Sequence, residues 1–213
     1  MTTMTTTTIA RSVRATALIA GLAATLPQVA VAEPATAHAL VGARVGGIAP
    51  LDGLSPYASF GLEVGAVLPP LQRRLALVVA VDYTQPTTTG TEMDPRVAGG
   101  TYTWKLTERE LGLMAVVMYR ATQVKKVTPY AGIGPRILFL ESTVGDDGMP
   151  VISDTTEVST KVGVGVPLGV ELKLGTGRLT GELLLQYGAL DHVATGDSHT
   201  GAVSLALGYR LLL

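Results

Sequence analysis

Residues 158–173 read VSTKVGVGVPLGVELK. Val158, Val162, Val164, Val166, Leu168, Val170 and Leu172 share one parity, and Ser159, Lys161, Gly163, Gly165, Gly169, Glu171 and Lys173 share the other. Successive side chains of a strand point to opposite faces. The stretch is therefore a strand with one aliphatic face and one face of small and charged groups. No charge interrupts the aliphatic face.

The same alternation recurs in eight segments, at about 37–48, 57–67, 75–85, 103–121, 128–142, 158–174, 178–190 and 200–213. In the second, Phe60, Leu62 and Val64 alternate with Gly61, Glu63 and Gly65. In the eighth, Val203, Leu205, Leu207, Tyr209 and Leu211 alternate with Ala202, Ser204, Ala206, Gly208 and Arg210. The connections 68–74, 122–126 and 175–177 are short. Those at 86–101, 143–157 and 191–199 are longer and rich in Thr, Gly, Asp and Pro, and 49–56 is intermediate. An even strand count with short turns at one end and long loops at the other predicts an all-β fold: an eight-stranded antiparallel up-and-down transmembrane β-barrel, its turns periplasmic and its loops outside.

Composition agrees. Mean hydropathy is +0.38, and only 15% of residues are charged. Yet the body of the chain holds no uncharged apolar run of about 18 residues, which argues against a helical membrane protein. Hydrophobicity spread as alternation is what a closed barrel needs, because it satisfies its backbone polar groups between strands. A net charge of −1 gives no field to draw nucleic acid. The absence of cysteine excludes disulfides, thiolate metal sites and cysteine nucleophiles together. At the N-terminus, Arg11 and Arg14 precede a short apolar run at 15–26, and Ala30-Val31-Ala32 forms a small-residue cleavage site. This reads as a signal peptide over 1–32, cleaved after Ala32, with the barrel domain over 33–213.

What each face carries decides which way the barrel is turned. A soluble calyx places bulky apolar side chains inside. Here the polar parity carries glycine and alanine beside charge, which suits the crowded interior of a narrow barrel, while Leu, Val and Ile suit lipid. The expected interior charges are Glu63, Asp82, Glu108, Glu110, Glu171 and Glu182 against Arg44, Arg120, Arg136, Lys161, Lys173, Arg178 and Arg210. Buried charges must be paired, so these form an interior plug of salt bridges rather than an ion path. Tyr57, Tyr83 and Tyr187 near the outer rim, with Tyr119 and Tyr209 near the inner one, read as interfacial aromatics. Trp104 falls on the inner parity if its segment is regular.

With these segments, the glycine-rich Pro129-Tyr130-Ala131-Gly132-Ile133-Gly134-Pro135 and the terminal ALGYRLLL, the chain resembles the small outer-membrane β-barrels of the OmpA/OmpX type over roughly 37–213. The resemblance implies residence in a Gram-negative-type outer membrane, contact with its lipid and lipopolysaccharide, and recognition of the C-terminal strand by the barrel-assembly machinery. The family usually ends that strand on an aromatic residue; this chain ends on Leu213, with Tyr209 on the same face.

The expected role is structural or surface-interacting, through the outer loops, by a non-enzymatic monomer without cofactor or nucleic-acid partner. A second reading is a lipid A-modifying enzyme, for which Asp191, His192, Asp197, Ser198 and His199 are the candidate catalytic groups. Ser198 and His199 are adjacent and would face opposite ways. A third reading is a soluble lipocalin-like carrier of an apolar ligand. Asp146-Asp147-Gly148 with Asp154 fits no standard calcium loop and reads as a turn, so no metal is expected. Lys105 and Arg109 are placed to meet lipopolysaccharide phosphates.

Overall fold

The computed structural model describes residues 37–51, 55–69, 74–95, 99–121, 123–146, 155–189 and 199–213. The expected signal peptide, and Asp147, Gly148, Asp154, Asp191, His192, Asp197 and Ser198, lie outside them. The strands are β1 (His38–Pro50), β2 (Tyr57–Leu68), β3 (Leu75–Thr84), β4 (Thr87–Met93), β5 (Thr101–Arg120), β6 (Val127–Asp146), β7 (Thr155–Leu174), β8 (Gly177–Gly188) and β9 (Ala202–Leu212). Every pairing is antiparallel. β1 pairs with β9 from Leu40↔Leu212 to Pro50↔Ala202, and β3 pairs with β5 from Leu75↔Tyr119 to Thr84↔Glu110, so the sheet closes on itself.

β3 and β4 both lie along β5 and together make one stave, which gives eight staves from nine strands. The break falls at Gln85-Pro86. Proline has no N–H to donate, but its carbonyl still accepts from Glu108 N–H at 2.9 Å. The β-branched run Thr87-Thr88-Thr89 then resumes the ladder. The reading of 86–101 as a loop is therefore corrected: Thr87–Met93 within it is a hairpin arm. The loop expected at 143–157 is likewise shorter, since β6 runs to Asp146 and β7 begins at Thr155. Both errors have one cause. Beyond the lipid a strand can be wet on both faces, so its hydrophobic period disappears while its hydrogen bonds persist.

The two faces are sharply different. Leu62 is 65% and Leu205 68% exposed on the outside, while Arg210 at 1% and Glu171 at 0% are sealed within. This is the reverse of a soluble calyx. The lumen is less uniformly polar than expected. Leu40, Val67, Val78, Met114, Val116 and Met118 share the inner parity and form an apolar cluster with Tyr130 and Leu184. Leu138 and Leu140 form a second cluster.

In the middle of the wall the ladder thins. The β5–β6 pairing is interrupted between Met114↔Arg136 and Val117↔Ile133, and the β6–β7 pairing between Ala131↔Leu168 and Gly134↔Gly165. Pro135 and Pro167 sit in these gaps and have no N–H to contribute. Gly134 answers a steric demand there: a Cβ at this position would collide with the Ala115 carbonyl oxygen.

Candidate functional site

The lumen is crossed by a continuous set of ion pairs drawn from all eight staves. Arg210 on β9 is its hub. Its Nε donates to Glu63 Oε1 on β2, and its Nη2 to Glu63 Oε2 at 2.9 Å. Nη1 donates to Glu171 Oε1 on β7 at 3.2 Å, and Nη2 also reaches Glu182 Oε2 on β8 at 3.2 Å. The guanidinium lies over the Tyr130 ring, 4.6 Å from its centroid, and the Tyr130 hydroxyl donates to Glu182 Oε2 at 2.8 Å. Toward the short turns, Arg120 donates to Glu171 Oε2 at 2.6 Å, and Arg178 lies 3.4 Å from the same oxygen while donating to Thr128 Oγ1 at 3.1 Å.

Toward the other end, Glu182 Oε1 accepts from Arg44 Nη1. Arg44 in turn donates through Nε and Nη2 to Asp82 Oδ1, at 3.0 and 2.7 Å. Asp82 Oδ2 accepts from Arg136 Nη1 at 3.0 Å, and Glu110 Oε1 accepts from Arg136 Nη2 at 3.2 Å and from Gln186 Nε2 at 3.3 Å. Charge-assisted and partly bidentate bonds of this kind are the strong class. They are also what makes burial of so many charges tolerable. Inward glycines make room for the arginine heads. A Cβ at Gly61 would strike Arg44 and Asp82, and one at Gly112 would strike the Arg136 guanidinium.

The structure brings together most of the expected interior charges but leaves two out. Lys173 is exposed at the end of β7, beside the turn to β8. Lys161 is half-buried and makes no ion pair among the described residues; its register partner on β6 is the apolar Leu138. Glu108 is buried on the lumen face above Glu110. Sequence reasoning passed over Tyr130 and Gln186. Parity carried the signal for both: Tyr130 alternates in step with Gly132 and Arg136, and Gln186 with Glu182.

Of the expected interfacial aromatics, Tyr83, Tyr119, Tyr187 and Tyr209 face outward and are exposed. Tyr83 donates to Gln85 Oε1 at 2.8 Å, Tyr209 donates to the Leu174 carbonyl at 2.9 Å, and Tyr119 Oη accepts from Arg74 at 3.3 Å. Each thus keeps its ring on apolar wall and its hydroxyl at a polar edge. Tyr57 is corrected: its register partner is the lumen-facing Ile48, so it lies on the inner parity at the mouth. Trp104 also keeps the inner parity, and its indole covers Gly90 across the β4–β5 pair, where a Cβ would collide with it.

Tyr209 is the register partner of Leu179 on β8, and Tyr187 lies eight residues further along that strand. At ~3.3 Å per residue and a tilt of about 40°, the two rims are separated by roughly 20 Å. An apolar belt of that height facing outward belongs in lipid. Above it, Arg109 pairs with Glu141 at 3.0 Å, both exposed, and Lys105 is exposed near them. His199 packs its ring 5.8 Å from that of Tyr187, and its Nδ1 accepts from the Gly201 amide at 3.2 Å. Among the described residues there is no group of three or more His, Cys, Asp or Glu suited to a metal.

No family model matches the sequence, and no curated protein does. Solved structures match the fold. A major outer membrane protein from Thermus thermophilus has a TM-score of 0.54 at 16% identity, over 82% of this chain and 99% of that one. Neisserial surface protein A has a TM-score of 0.48 at 20% identity, over 83% and 97%. The N-terminal β-barrel domain of Pseudomonas aeruginosa OprF has a TM-score of 0.44 at 13% identity, over 84% and 100%. The likeness to the Thermus protein is one of fold, and it meets the fold reached from the chain's own strands: a closed eight-stranded β-barrel of the outer-membrane type.

Proposed function

We propose that this protein is a resident of the outer membrane whose lumen is closed by its ion-pair network, and that it serves a structural or surface-interaction role through its outer loops. One observation carries the closure. Arg210, at 1% exposure, is held by carboxylates from three other strands, and Glu182 hands the connection on through Arg44 to Asp82. Eight strands leave an interior that side chains can fill, so this cross-bracing supports a rigid peg rather than a pore. The reading is non-enzymatic and monomeric, and activity specific to this protein belongs to the loops, where such scaffolds carry function.

Export follows from a signal peptide removed after Ala32. Assembly follows from recognition of β9, whose outward residues run from Val203 to Leu211. Lys105 and Arg109 face outward above the belt and are suited to lipopolysaccharide phosphates.

The test is fractionation of cells expressing the full chain, followed by gels of boiled and unboiled outer membrane and N-terminal sequencing. A band in that fraction that shifts on boiling and begins at Glu33 is expected. A soluble periplasmic protein without a heat shift overturns the reading.

A further inference from the structure

The connections at the two ends of the barrel carry opposite charge. The short ones, at 68–74, 122–126 and 175–177, hold Arg73, Arg74, Lys125 and Lys126 and no Asp or Glu, while the long ones, at 86–101, 143–157 and 191–199, hold eight acids against Arg96. The strand ends extend the basic side. The Lys126 carbonyl accepts from the Lys173 amide at 3.0 Å, Lys173 is the register partner of Arg178, and Arg178 is that of Arg210. Across β6 to β9, four cations therefore stand in one row on the lumen parity. Like charges directly opposite each other destabilise a sheet. Arg178 and Arg210 turn to Glu171, which also holds Arg120 and is sealed at 0% exposure. Lys126 and Lys173 are left at the rim, exposed and without an ion pair among the described residues.

Lys125, at the tip of the same turn, has a φ of 57° and is the only non-glycine residue with a positive φ among the described residues. Glycine takes that conformation without cost. A lysine there, with its side chain exposed, points to a role for the charge rather than for the turn. The outward tyrosines set the height of this group. Tyr209 donates to the carbonyl of Leu174, next to Lys173, and Arg74 donates to the Tyr119 hydroxyl. Such rings lie at the headgroup level of a bilayer, and basic clusters at that level attract anionic lipid. We propose that Lys125, Lys126 and Lys173 bind the headgroup phosphate of an anionic phospholipid in the leaflet that meets the short turns. The proposal rests on the membrane residence proposed above.

The experiment places the purified protein in phosphatidylcholine vesicles with a trace of spin-labelled phosphatidylglycerol or spin-labelled phosphatidylcholine. Electron paramagnetic resonance then measures the fraction of each label that the protein immobilises. Phosphatidylglycerol is expected to associate about fivefold more strongly than phosphatidylcholine. The triple variant Lys125→Gln, Lys126→Gln, Lys173→Gln should bring the two lipids level. Lys105→Gln with Arg109→Gln, at the other end of the barrel, should leave the preference intact, and so should inorganic phosphate added at constant ionic strength. Equal association in wild type, an undiminished preference in the folded triple variant, its loss in the far-end variant, or its displacement by free phosphate would each overturn the proposal. The heat shift on gels shows which variants are folded, and the wild-type and far-end measurements decide if the triple variant is not. A protein with no heat shift fails the residence reading, whereas a heat-shifting barrel without lipid preference fails this proposal alone.

Discussion

Arg210 shows how much of this barrel rests on a single side chain. It pairs with three carboxylates at once, so Arg210→Met leaves the buried Glu63 without its arginine, while Glu171 keeps Arg120 and Arg178 and Glu182 keeps Arg44. Removing one partner of a buried pair costs about 3–5 kcal/mol. The variant should lose its heat shift at a markedly lower temperature and urea concentration than wild type. Arg109→Ala, which breaks an exposed pair with Glu141, should change stability by about 0–1 kcal/mol in the same assay. Equal effects would mean that the interior pairs are no better shielded than the rim. Which residues face the lumen was legible from parity alone, as Arg44, Glu63, Asp82 and Arg210 illustrate. Who pairs with whom was not, because partners such as Arg210 and Glu63 are set by registers between distant strands. Lys173 was misread because parity tells the side of a strand and not the height at which the wall ends.

At the scale of the strand, β6 is the informative element. Its Pro-Tyr-Ala-Gly-Ile-Gly-Pro stretch was legible as a glycine-rich strand, and the structure supplies the reason for the glycine at 134. The obstacle to a side chain there is the Ala115 carbonyl, which belongs to the neighbouring backbone and cannot swing away. Gly134→Ala should therefore destabilise the barrel. Gly181→Ala on β8 should be nearly neutral, since a Cβ there meets Leu207 and Val170 only at 3.9 Å. Paired urea titrations in detergent check the contrast, and similar midpoints for the two variants would contradict it. The outer arm β4 and the far ends of β5, β6 and β7 were not legible. Thr87–Met93 carries no hydrophobic alternation for a pattern reader to find, yet it holds register with β5 from Thr87↔Thr107 to Met93↔Thr101.

For the molecule as a whole, the proposed closure of the lumen by its ion pairs predicts that the barrel reconstituted in planar bilayers carries no steady ionic current, and a stable open level in wild type would refute the closure. Replacing the outer connections by short turns should leave insertion and the heat shift intact, because the ion pairs and the apolar belt lie below them. The overall architecture was the most legible level of all, since it depends only on alternation repeated through the chain. Its seam also governs timing. β1 finds its second neighbour only in β9, where Pro50 meets Ala202 and the Ala39 carbonyl receives the Leu213 amide at 2.8 Å. Until Ala202–Leu212 arrives, both β1 and β8 are bare edges, open to any passing strand. The wall cannot be finished piecemeal. A chain cut short before Ala202 is then no smaller barrel but an unclosed sheet, and the cell must keep every such intermediate out of company until its final stave is in hand.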